Sequence, residues 1–238
     1  MFNLKGKLFI AVVVFFGFSG LAGGAYAQDD RRFIDLSSVP TEADSTKAFA
    51  PKGWVVEEEI TGDLNGDSRP DVVVKLIEDR PAENKEGQPL ERYRALLVLL
   101  RTEGGKLWRA AAADRLLMCT TCGGMLSDPS GANVQVEITK GVIVIDQLRG
   151  SREAVNTTLR FRHDHKLNRF LLIGEDVELR DRATGETTRR SSNFLTGVKL
   201  TEKYRYDERR DKEVLISKNR QRLTGRVRFI EEIDFDRY

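Results

Sequence analysis

From residue 134 onward the chain repeats one pattern, a short run of alternating apolar and polar residues followed by a turn. Val134, Val136 and Ile138 alternate with Gln135 and Glu137, and Lys140-Gly141 leads into Val142-Ile143-Val144-Ile145. Val155, Thr157, Leu159 and Phe161 form a further set, and His163 to Asn168 turns it into Arg169-Phe170-Leu171-Leu172-Ile173. Ala183-Thr184-Gly185 makes another turn, toward strands around Phe194 and over Val198 to Leu200. Side chains of a strand point alternately to its two faces, so a period of two buries one face. Many short strands joined by tight turns pair antiparallel in a sheet or sandwich. The expected fold is therefore mainly β, an antiparallel meander or sandwich-like sheet with few or no long helices.

The earlier half adds strands of a different kind. Trp54, Val56 and Ile60 fall on one strand face, which Glu58 interrupts. Ala95-Leu96-Leu97-Val98-Leu99-Leu100 is an unbroken apolar run, which suits a strand covered on both faces. Glu103-Gly104-Gly105-Lys106 turns it into a return over Leu107 to Ala113, and Asp79 to Glu91 reads as an exposed loop. Glu202 to Tyr238 carries 11 Lys+Arg and 9 Asp+Glu of mixed sign. There Val214-Leu215-Ile216, then Val227, Phe229, Ile233 and Phe235, predict a solvated final hairpin with one packed face.

The most specific stretch is Asp63-Leu64-Asn65-Gly66-Asp67-Ser68-Arg69-Pro70-Asp71, with side-chain oxygens at positions 1, 3, 5 and 9. Hard cations such as Ca²⁺ take six to eight oxygen ligands, and short oxygen-bearing side chains at this spacing suit a loop wrapped around one. At position 7, Arg69 can offer only its backbone carbonyl. Asn, Gly and Asp also make plain turns, but three like charges in one turn repel without a cation. An EF-hand would need Gly at position 6 and Glu at position 12, where this chain has Ser68 and Val74. The β-branched run after Asp71 argues for a strand and not an exit helix. The loop resembles the FG-GAP or VCBS type of calcium loop, in which a similar pattern joins two strands. That resemblance covers roughly Trp54 to Ile77. It implies Ca²⁺ held by Asp63, Asn65, Asp67 and Asp71 with the Arg69 carbonyl. The pattern occurs once, so a repeated propeller is not expected.

Residues 1–27 read as a secretory signal peptide: Lys5 and Lys7, an apolar core over Leu8 to Leu21, and Ala25-Tyr26-Ala27 at the cleavage site. No Cys follows it to carry a lipid anchor. Residues 28–50 form an extended polar lead-in and 51–238 a single β-rich domain. With 39 Lys+Arg against 37 Asp+Glu in the whole chain, removal of Lys5 and Lys7 leaves the charges balanced. Nucleic-acid binding, which rests on excess positive charge, is not indicated. No later stretch is long and apolar enough for a membrane span, and the expected location is periplasmic or secreted.

Cys119 and Cys122 are the only cysteines. A disulfide is the default in an exported protein. A redox pair would draw on a helix N-terminus, which Gly123-Gly124 and Ser127-Asp128-Pro129 do not favour. Two Cys alone are too few ligands for Zn²⁺. His163 and His165, the only histidines, fit a hairpin turn, and no Gly-x-Ser-x-Gly elbow is present. No catalytic residue stands out, so the expectation is an exported Ca²⁺-binding β-rich binding or structural module with a protein or glycan partner outside the cell. The alternatives are a periplasmic thiol-redox protein using Cys119 and Cys122, and a glycan or cell-wall processing enzyme.

Overall fold

The structure, a computed structural model, describes residues 33–237, which belong to one compact unit. The signal-peptide reading falls outside these residues. Among the described residues twelve strands make two sheets, and every strand pair is antiparallel. The first contains β1 (Glu42–Ala43), β2 (Trp54–Gly62), β3 (Asp71–Glu78), β4 (Arg94–Arg101) and β5 (Leu107–Ala113), in the order β1-β5-β4-β3-β2. The second contains β6 (Val134–Thr139), β7 (Val142–Gly150), β8 (Glu153–Asp164), β9 (Arg169–Asp181), β10 (Thr187–Asn193), β11 (Val198–Asp207) and β12 (Lys212–Arg222), ordered β12 to β6 without a crossover. Among the described residues the helical elements are single 3₁₀ turns, in keeping with the lack of long amphipathic periods there. The mainly β expectation holds.

The two sheets face each other across one apolar core. Val73, Leu96, Val98 and Leu100 of the first pack in a single cluster with Val134, Val136, Ile143, Ile145, Leu159, Phe161, Phe170 and Leu172 of the second. The apolar run on β4 shows why it is unbroken. Leu96, Val98 and Leu100 enter this core, whereas Ala95, Leu97 and Leu99 point to a second cluster on the opposite face. The second cluster is closed by Ile34, Val39 and Phe49 from the segment before β2, which the sequence shows as polar. Three well-spaced apolar residues suffice to make that segment a cover. Burying each such side chain is worth about 1.5–3 kcal/mol.

The C-terminal stretch departs from the expected hairpin. β11 and β12 do pair, but Val227 to Phe235 forms no strand. Ile230, Ile233 and Phe235 instead enter the intersheet core from short 3₁₀ turns over Ile230–Glu232 and Phe235–Arg237. Spacings of two and three among these apolar residues fit such turns as readily as a strand. Phe194 also lies after a strand and not within one, since β10 ends at Asn193. At the other edge of the sandwich β2 approaches β6 so closely that a Cβ on Gly62 would lie 2.7 Å from Ile138 Cγ2.

Candidate cation loop and edge cleft

Loop 63–70 is the connection of the β2–β3 hairpin, closed where Gly62 pairs with Asp71. Its side chains fold the loop on itself. Asp63 accepts N–H bonds from Gly66 at 2.7 Å and Ser68 at 2.9 Å, and Asn65 Oδ1 accepts from Asp67 at 3.1 Å. Asp67 accepts from the Arg69 backbone at 2.8 Å, from Asn65 Nδ2 at 2.9 Å and from the Arg69 guanidinium at 2.6 Å. Asp71 is fully buried, and its two oxygens take the N–H groups of Leu64 and Arg101, each at 2.8 Å. It therefore ties the loop to the end of β4. Ser68 sits at φ +64°, in the left-handed region where Gly would be unstrained.

Burial raises the pKa of Asp71, with further upward pushes from Asp67 and Asp63 against two lowering N–H bonds. The Arg69 backbone N–H is the main influence holding Asp67 below the usual range. The acids thus feel one another, as a cation site requires. The donor chemistry is that of a hard cation, and each carboxylate oxygen that accepts a single N–H keeps a further lone pair. The three loop carboxylates do not converge within 4.8 Å as a group, however, and the Arg69 guanidinium already occupies Asp67. A bound ion would have to draw Asp67 away from Arg69.

The same hairpin carries a second feature. Arg94 is buried on β4 and makes a bidentate pair with Glu57, with Nε–Oε2 at 2.8 Å and Nη2–Oε1 at 2.9 Å. Lys75 is buried on β3 and contacts Glu58 at 2.9 Å, the Val134 carbonyl at 3.0 Å and Glu57 at 3.9 Å. A β-bulge makes this possible: Val56 faces Leu76 and Glu58 faces Lys75, so Glu57 is the extra residue. Bulges re-aim side chains in this way. At Gly131, φ +87°, a Cβ would stand 3.0 Å from Arg94 Nη2, so the loop before β6 can close over the guanidinium only with glycine there.

Glu57, Glu58 and Lys75 form one wall of a cleft of about 590 Å³, with Arg94 buried behind them. Its other wall is β6 and the loop before it, together with Val144 and Asp146 of β7, and Glu58, Glu137 and Asp146 add negative charge. None of this was singled out from the sequence. The available signal was a charge at an inward strand position, Lys75 between Val73 and Ile77, and Arg94 two residues before Leu96.

Cys119 and Cys122 form a disulfide in a turn after β5, with no helix behind it. Cys119 is buried and Cys122 exposed. His163 is packed against Phe170 and bonds Asn168 at 3.0 Å, while His165 is exposed, which is a hairpin arrangement. Compared with protein-family models, curated proteins and solved structures, the chain finds no match in any of the three.

Proposed function

We propose that this chain is a non-catalytic binding module, exported from the cell, in which Ca²⁺ in loop 63–71 stiffens the hairpin that walls the edge cleft. The observation that carries this reading is the buried Arg94–Glu57–Lys75 array. Glu57 and Lys75 line a cleft of about 590 Å³, and Arg94 lies buried behind them where apolar packing would otherwise stand. Buried charges are costly to desolvate and add little net stability, so an array opening on a cleft favours recognition over stability. The wall is unsuited to nucleophilic chemistry, because the Lys75 amine is held by Glu58 and a carbonyl.

The ligand class follows from the two walls. β6 is the last strand of its sheet, with Lys75 on the Val134 carbonyl at one end and Gly62 against Ile138 at the other, so an extended polypeptide can add to it only over the stretch between them. Carboxylates outnumber lysine around the cleft, which favours a segment with Lys or Arg at alternate positions. Calorimetric titration with an extended peptide alternating Lys and Thr, and with its Glu counterpart, tests this. Only the Lys peptide should bind, more weakly at higher salt and in Glu137→Lys. Equal behaviour of the two peptides overturns the assignment.

A further inference from the structure

We infer that Glu91, Cys119 and Cys122 form a redox-gated site for a thiophilic divalent metal such as Zn²⁺, empty while the disulfide is closed and competent once a dithiol reductant has opened it. The inference stands apart from the cleft and the calcium loop. It begins with a third ligand that the cysteine spacing alone does not reveal. One ligand atom each from Glu91, Cys119 and Cys122 lies within 4.8 Å of the other two, the only such group of His, Cys, Asp or Glu among the described residues.

The placement of Glu91 is built into the fold. The Thr120 hydroxyl donates to the Leu90 carbonyl at 2.8 Å and accepts the Arg92 N–H at 2.9 Å, and Thr120 N–H donates to the Arg92 carbonyl at 3.1 Å. The residues on both sides of Glu91 are thereby clamped to the residue after Cys119. Glu91 Oε2 lies 3.6 Å from Cys119 Sγ. A tetrahedral Zn²⁺ with bonds of ~2.3 Å to sulfur and ~2.0 Å to oxygen separates those ligands by about 3.5 Å. The carboxylate and the buried sulfur are already at ligand spacing, so only the exposed Cys122 sulfur has to move away. Three protein ligands with the fourth position open to water is a known zinc arrangement, and Cys-x₂-Cys is a usual ligand spacing.

The chemistry balances. A thiolate of the dithiol attacks the exposed Cys122 sulfur, forming a mixed disulfide and releasing Cys119 as a thiolate. The reductant's second thiol then closes its own disulfide and releases Cys122. Two electrons pass to the protein cysteines, which at neutral pH take up protons. Zn²⁺ displaces those protons when it binds both thiolates, and the Glu91 carboxylate completes the set.

Cobalt(II) serves as the probe, because thiolate coordination gives a sulfur-to-metal charge-transfer band. The chain reduced with a phosphine should take up one Co²⁺ that Zn²⁺ displaces, and the oxidised chain should take up none. Glu91→Gln should bind about tenfold more weakly or worse, since even outer-shell changes cost that much. Glu91→Asp should recover part of the loss, and Cys122→Ser, with one thiolate left, should weaken the charge-transfer band. Failure of the reduced chain to bind overturns the inference. So does equal binding by Glu91→Gln, because an unfolded Cys-x₂-Cys segment would bind with or without the carboxylate.

Discussion

Arg69 is the residue on which the behaviour of the loop turns. Its guanidinium sits 2.6 Å from Asp67, so it supplies from within the chain the positive charge that a metal ion would otherwise bring. Such a partly exposed pair contributes little to stability on its own, yet it would compete directly with a bound cation for a ligand. Arg69→Ala should therefore raise calcium affinity, by about fivefold at most. Asp67→Ala should remove most of the binding. Calorimetric titration of the two variants beside the parent measures both effects, and weaker binding by Arg69→Ala would contradict the role given to the guanidinium. Nothing in the Asp-x-Asn-x-Asp spacing reveals this competition. It depends on which way one flexible side chain turns back over its own loop.

At the scale of elements, the β2 bulge and the buried strand charges belong together. Without the extra residue, Glu57 could not meet Arg94 while Glu58 meets Lys75. Glu57→Ala leaves Arg94, which is 1% exposed, without its carboxylate partner and should cost about 3–5 kcal/mol. The pair Glu57→Leu with Arg94→Met should recover most of that loss, since apolar replacements of buried ion pairs are often neutral or better. Chemical denaturation of both variants checks this, and an unchanged midpoint for Glu57→Ala would contradict it. The strands themselves were readable where burial follows a simple period: β4 from its continuous run, β6 to β9 from alternation. β10 was not, because Thr187 to Asn193 contains no apolar residue and is held by pairing on both sides. The cover formed by Ile34, Val39 and Phe49 was hidden in the same way, since three residues in a polar stretch carry no period.

For the molecule as a whole, the two-sided burial of the first sheet places its hairpin tip and its charged edge on one rigid support. Asp71 links the loop to β4, and the β2–β3 hairpin runs from that tip to the cleft. An ion that binds only the folded loop would stabilise the entire domain by mass action, by about 1.4 kcal/mol when free ion is tenfold above Kd. For a domain of this size that is roughly 3–6 °C in melting temperature. The decisive measurement is thermal unfolding of the protein in about 10 mM Ca²⁺, in the same concentration of Mg²⁺, and with chelator, given the ~10⁻⁴–10⁻³ M affinities of extracellular calcium modules. The account predicts a rise of that size with Ca²⁺, a smaller one with Mg²⁺, and none in Asp67→Ala. Identical melting with Ca²⁺ and with chelator would contradict it.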